Sequence, residues 1–156
     1  MGTLTQPLRE FLDLHAVGVL ATPAADRRPR QSLVYFARDR DRLLISTLTD
    51  RMKASDVRRS GWASLCVMGH EPPYPSATFS GPAEILTEHI GAPTAMVMQR
   101  MTGAADPQEP LSDEALAELG RVILAITIER VSAANYIAVA TETSESPSRP
   151  PERHHP

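Results

Sequence analysis

Lysine is almost missing from this chain: of its 16 lysine and arginine residues, only Lys53 is a lysine. So strong a bias reads as base composition, so most arginines say little about chemistry, while the one retained ammonium marks a position to test. Cysteine is equally scarce. Cys66 alone excludes an internal disulfide framework and fits a reducing compartment; within Leu65-Cys66-Val67 it reads as a small buried hydrophobe. No apolar run approaches the ~20 residues that span a bilayer. The N-terminus lacks a basic segment followed by an apolar stretch and a small-residue cleavage site, so a cytoplasmic location is expected. A formal net charge of −3 gives no reason to expect nucleic acid or an anionic membrane as partner.

The usual catalytic signatures are missing too. The histidines are His15, His70, His89, His154 and His155; outside the terminal pair none are spaced for one helical face, and there is no second cysteine, so no metal site is expected. No Gly-x-Ser-x-Gly elbow, GxxxxGK[ST] loop or GxGxxG loop occurs, which disfavours serine hydrolysis, P-loop chemistry and Rossmann dinucleotide binding.

What is present is a run of short strands with inserted helices. Leu4, Leu8, Phe11, Leu12 and His15 fall at helical spacing, with Thr5 placed to cap and Pro7 in the first turn. Val17 to Ala21, Gln31 to Ala37 and Leu43 to Thr47 read as a three-strand meander. A short helix over Asp50 to Ser60 follows, with Asp50 as N-cap, Met52 and Val57 as buried contacts and Gly61 as stop. Strands are expected over Ala63 to Met68 and Thr78 to Leu86, the latter with a bulge or edge position at Gly81-Pro82. A helix over Ile90 to Met101 ends at Gly103; its methionines suit a core or subunit interface. A helix from Ser112 to Leu119, a strand from Val122 to Ile128 and a last strand near Tyr136 to Val139 complete the pattern. Residues 1–140 read as one domain, and 141–156, rich in Pro, Ser, Glu and Arg, as a disordered tail. The expected fold is mainly β (α+β): six or seven mostly antiparallel strands in a small barrel with short flanking helices. Such a barrel leaves little room inside, so a ligand site belongs at its rim or between subunits.

One segment carries chemistry. In Ser46-Thr47-Leu48-Thr49-Asp50-Arg51-Met52-Lys53, hydroxyls close a strand and two cations open a helix whose first N–H groups lack partners, which makes an anion site. Each charge-assisted hydrogen bond there would contribute about 1.5–3 kcal/mol. Arg27, Arg28 and Arg30 precede Gln31 and Ser32 on a strand expected beside Leu43 to Thr47, a surface suited to a long polyanionic cofactor tail. The bland alternative is a capped helix and a basic turn, both solvated.

Taken in order, these pieces resemble the pyridoxamine 5′-phosphate oxidase-like, flavin-binding split-barrel superfamily. The matching pieces are Val17-Gly18-Val19-Leu20-Ala21-Thr22, Pro29-Arg30-Gln31-Ser32-Leu33-Val34-Tyr35-Phe36, Leu43-Leu44-Ile45-Ser46-Thr47 with Arg51-x-Lys53, and Val57 to Val67. Phe79-Ser80-Gly81-Pro82-Ala83 and Ile126 to Val131 are similar to the later strands. The resemblance implies that Ser46, Thr47, Arg51 and Lys53 hold a phosphate and that Gln31, Ser32 and Val34 line an isoalloxazine-like ring, mainly through backbone groups. It also implies a homodimer sharing the pocket, with FMN or coenzyme F-420 as cofactor and hydride transfer to a small unsaturated organic substrate. The alternative it allows is a non-catalytic flavin- or haem-binding storage or sensing protein, for which His15 or His70 would be the haem ligand. The chain lacks the C-terminal signature of the vitamin oxidase, which argues against pyridoxamine phosphate oxidation proper.

Overall fold

The computed structural model describes residues 4–134; the strand expected near Tyr136, the boundary at residue 140 and the segment 141–156 lie outside them. Helix α1 (Gln6–Leu14) buries Leu8, Phe11 and Leu12. Its C-terminal carbonyls find a partner in Arg100, which donates to the main-chain oxygens of Leu12, Asp13 and His15 and so satisfies acceptors that the helix cannot. Thr5 occupies the N-cap position without capping: its hydroxyl is buried and unpartnered, so apolar packing, not capping, starts the helix.

The described residues form eight strands in one antiparallel, curled sheet: β1 (Val17–Pro23), β2 (Pro29–Tyr35), β3 (Ala37–Asp39), β4 (Arg42–Leu48), β5 (Trp62–Met68), β6 (Ser76–Leu86), β7 (Arg121–Thr127) and β8 (Arg130–Ala134). Their order is β2-β1-β5-β6-β7-β4-β3, with β8 beside the first half of β6. The remaining helices are α2 (Met52–Ser60), α3 (Gly91–Thr102) and α4 (Asp113–Glu118). The fold is mainly β, as expected. The expected meander is not: β2 pairs with β1 and β4 with β3 and β7, so β2 ends the strand order while β4 stands next to its other end, β3. The break falls at Phe36, fully buried between β2 and the three-residue β3, where a core side chain redirects the strand. The three-residue β3 is too short for an alternating pattern of its own.

Burial follows strand pattern. In β5 the residues alternate, with Ala63, Leu65 and Val67 buried and Trp62, Cys66 and Met68 exposed. Cys66 is therefore not the buried hydrophobe its neighbours suggested: period-two alternation puts it on the outer face. By contrast β4 and β7 are apolar on both faces. Leu43 and Ile45 join Leu124 and Ile126 in the barrel core with Phe36, Leu65 and Phe79, while Leu44 joins Ile123 and Ala125 in a second cluster under α3 and α4 with Ile90, Val97 and Leu116. Fully burying each large side chain contributes about 1.5–3 kcal/mol.

β6 serves both halves of the sheet. Its first part pairs with β5 and β8, and from Ala83 it pairs with β7. The changeover needs Gly81: a Cβ there would lie 2.0 Å from the Thr127 carbonyl oxygen, where the chain leaves β7 for β8. Gly81→Ala is expected to cost at least about 3 kcal/mol through forced backbone displacement, seen as a lowered midpoint in chemical denaturation.

Candidate functional site

The β4–α2 junction is rigidly set. Arg58, in the last turn of α2, reaches back to Thr49, donating to its main-chain oxygen at 2.8 Å and its hydroxyl at 2.7 Å. Helix α2 begins one turn position later than expected: Arg51, not Asp50, is the N-cap residue, no side chain caps the helix, and its first turn holds no acid. Gly61 ends it in the left-handed conformation, donating to the Val57 carbonyl, as glycine at that position can without a Cβ penalty. Met52 is 60% exposed, not buried; Ala54, Asp56 and Val57 form the buried face instead.

Asp56 is the residue that sequence reasoning missed. It is 2% exposed and accepts from Thr22 Oγ1 at 2.8 Å, Arg30 Nε at 2.7 Å and Arg59 Nη2 at 3.2 Å. Burial alone would push its carboxyl up; the hydrogen bonds from Arg30, Thr22 and Arg59, with the Arg30 charge, outweigh burial and hold it below the ordinary range. The carboxylate thus ties α2 to both strands of the β1–β2 hairpin. Arg59, three residues on, was the one readable signal, an ion pair at helical spacing; Thr22 and Arg30 are 34 and 26 residues away.

Arg30 is consequently committed, and its Nη1 also contacts Met52 Sδ at 3.3 Å. Arg28 lies beside Asp26 at 3.7 Å, and Arg27 turns the hairpin with φ of 68°. Within the basic run before Gln31, then, Arg30 braces structure, while Arg27 and Arg28 are exposed. Arg51 and Lys53 differ: the six ion pairs among the described residues include neither. Lys53 is half-buried, and burial, then the neighbouring Arg51 charge, lower its pKa. Two unneutralised cations at an uncapped helix start form a place where an anion gains hydrogen bonds and removes charge repulsion.

Of the expected phosphate ligands, Thr47, Arg51 and Lys53 belong to this end. Thr47 shares the face of Leu43 and Ile45, toward the core cluster that contains Val57 of α2. Ser46 points to the opposite face with Leu44, opposite Ile123 in register, where its hydroxyl is buried and unpartnered. Adjacent strand residues cannot present side chains to one side, so Ser46 and Thr47 do not converge. On β2, Gln31 is exposed on the outer face with Leu33 and Tyr35; Ser32 is half-buried, and Val34 is 7% exposed within the core. β2 ends the strand order, so the backbone groups along its outer edge are available for pairing, and it is those, not the Val34 side chain, that could meet a planar ring.

The outer face of β1, β2 and β5 is unusually apolar. Val17 pairs in register with Tyr35, and Val19 with both Leu33 and Cys66. Leu33 is 75% exposed and Met68 54%, and Trp62, at the other end of β5, lies exposed on the same face as Met68. Elsewhere, the rings of His15 and His70 meet edge to face at 5.2 Å, with Phe11 against His15; burial, His70 and Arg100 lower the His15 pKa. Among the described residues no group of three or more metal-ligating side chains occurs, and no helix is long and apolar enough to cross a membrane.

Comparison with known proteins agrees with this architecture. The pyridoxamine 5′-phosphate oxidase family model matches residues 4–135. The chain belongs to this family. An F-420 reductase of known structure is 25% identical, covering 83% of this chain and 98% of its own, with a TM-score of 0.66. A FAD-binding protein from Mesorhizobium loti is also 25% identical over 85% of this chain and 95% of its own, with a TM-score of 0.62. A conserved hypothetical protein from Mycobacterium tuberculosis, 22% identical, covers 93% of this chain and 94% of its own with a TM-score of 0.69, and shows the shared fold. No curated protein matches at a significant level.

The Asp56 hub predicts a pH dependence. Because its folded pKa is depressed, its stabilisation is fully present above the unfolded value near 4 and is lost as pH falls through the folded value. Asp56→Asn is expected to lower unfolding free energy at pH 7 by about 1–3 kcal/mol. The gap between variant and parent should narrow below pH 4, measured by urea denaturation across pH; a constant gap would rule out the carboxylate's role.

Proposed function

We propose that this member of the pyridoxamine 5′-phosphate oxidase family is a homodimeric oxidoreductase that holds FMN or coenzyme F-420 and serves a small unsaturated organic substrate. The observation that carries this reading is the uncompensated pair Arg51 and Lys53 at the uncapped start of α2. Its donor set suits a phosphate monoester or diester: two cations, the Thr47 hydroxyl on the adjoining strand and the free N–H groups of the helix's first turn. The names of two relatives, an F-420 reductase and a FAD-binding protein, support a flavin-type group over other phosphates.

Bound there, a flavin or deazaflavin would supply hydride transfer, chemistry that protein side chains lack. The chain's own part is binding and orientation. Arg51 and Lys53 would neutralise the phosphate, while the free backbone edge of β2, with Gln31 and Ser32, would position the ring. Asp56, holding Arg30 and Thr22, keeps the hairpin in register with α2, so ring and phosphate ends stay at a set separation. This division of labour explains why no acid–base dyad is needed in the sequence.

The exposed apolar face of β1, β2 and β5 supports the homodimer. Patches of this kind on a monomer mark interaction sites, and β2 belongs both to that face and to the cofactor edge, so dimer and site would form together. Leu33→Asp is expected to shift the native mass from twice 17.0 kDa to once that value in light scattering, and to weaken cofactor binding in parallel. A monomeric parent would remove the shared-site part of the proposal.

Parallel calorimetric titrations with F-420, FMN and haem test the cofactor. One of the two flavin-type cofactors should bind saturably, and Lys53→Ala should weaken it tenfold to a hundredfold, the loss of one charge-assisted contact of about 1.5–3 kcal/mol. Lys53→Met should leave the cofactor-free protein at least as stable, because a partly buried, repelled charge is removed. Unchanged affinity in the Lys53 variants would sink the phosphate assignment, and binding of haem alone would favour the storage or sensing reading.

A further inference from the structure

A cavity lies on the other side of β4 from Lys53, between α3, the segment 108–111 and α4. Its volume is about 210 Å³, smaller than the ~300–1,000 Å³ of pockets for drug-sized molecules. Met98, Leu116 and Leu119 give it apolar walls, and Arg121 and Thr94 also line it. Met98 is one helical turn beyond Thr94, so the two share a face of α3. Two of these polar groups are unsatisfied. The Thr94 hydroxyl is buried with no hydrogen-bond partner, and Arg121 is half-buried and absent from the six ion pairs among the described residues.

The acid beside this cavity is already used. Asp113 accepts from the main-chain N–H of His89 at 2.7 Å and of Ile90 at 3.0 Å, which fastens α4 to the start of α3 and fixes the cavity's shape. Glu109, which also lines it, is exposed and makes no ion pair with Arg121. The inner wall thus offers the Thr94 hydroxyl, the Arg121 guanidinium and apolar surface, while the acceptors of Gln108 and Glu109 sit on the exposed segment at the rim. A guanidinium only donates, and its fork matches a carboxylate in a bidentate pair.

We propose that this cavity binds a small monocarboxylate with an apolar body, its carboxylate on Arg121 with Thr94 donating, and its hydrocarbon or aromatic part against Met98, Leu116 and Leu119. Arg121 pairs in register with Leu48 at the end of β4, so the ligand would sit behind the strand that leads into the Arg51–Lys53 turn. The site does not depend on the cofactor reading, since it faces the second core cluster and shares no lining residue with the α2 start.

The test is a two-dimensional NMR titration of the full chain with hexanoate, benzoate and, as a neutral isostere, 1-hexanol. At least one acid should give saturable shifts at the Met98 and Leu116 methyls, at least tenfold tighter than the alcohol. Arg121→Gln should weaken binding tenfold or more, Glu109→Gln should strengthen it a few-fold by removing a like charge, and Lys53→Ala should leave it unchanged. Met98→Trp, which fills the cavity, should abolish binding, and together with the acid-to-alcohol ratio decides the matter if Arg121→Gln does not fold. Absence of saturable shifts with both acids, equal affinity for the alcohol, persistence of binding in Met98→Trp, or loss of the shifts in Lys53→Ala would each overturn the proposal.

Discussion

The arrangement of this protein turns on one buried carboxylate. Asp56 gathers a hydroxyl from β1, a guanidinium from β2 and another from its own helix, and no apolar contact could join those three elements with the same directionality. A buried charge left unpaired costs several kcal/mol, whereas one fully paired is tolerated. The three elements are thereby obliged to meet in one geometry. That geometry places the uncapped start of α2 near an edge strand whose backbone is free. The candidate anion site is a consequence of this tie as much as of the residues that compose it.

The same tie explains a division among the basic residues. Arg30, Arg58 and Arg59 spend their hydrogen bonds on Asp56, Met52, Thr49 and the Pro23 carbonyl. Arg51 and Lys53 spend none on the described carboxylates. Structural cations surround the two candidate phosphate ligands, which stand out because those neighbours are already satisfied. Lys53 bears the cost of that position in its lowered pKa, a strain that an anion would relieve.

Two expectations failed for related reasons. Ser46 and Thr47 looked like one hydroxyl pair in a linear reading, but strand alternation sends them to different faces, one toward α2 and the other toward α3. Cys66 looked buried because its neighbours are apolar, yet the same alternation exposes it beside Val19, whose other partner is Leu33. In both cases the period of the strand was legible, but which phase faced inward depended on residues in other strands. The placement of β2 next to β4 failed differently, since Phe36 redirects the chain and nothing local marks that turn.

Much could be decided from the chain alone: the antiparallel, mainly β class, the helix stops at Gly61 and Gly103, and the cationic start of α2. These depend on short-range periodicity, on backbone preferences and on residues within one helical turn of each other. The tertiary structure alone decided the partner of Arg30, the burial of Asp56, the separation of Ser46 from Thr47 and the cavity around Thr94 and Arg121. Each of those depends on contacts between segments tens of residues apart, where sidedness and distance are set by how the sheet curls rather than by local composition.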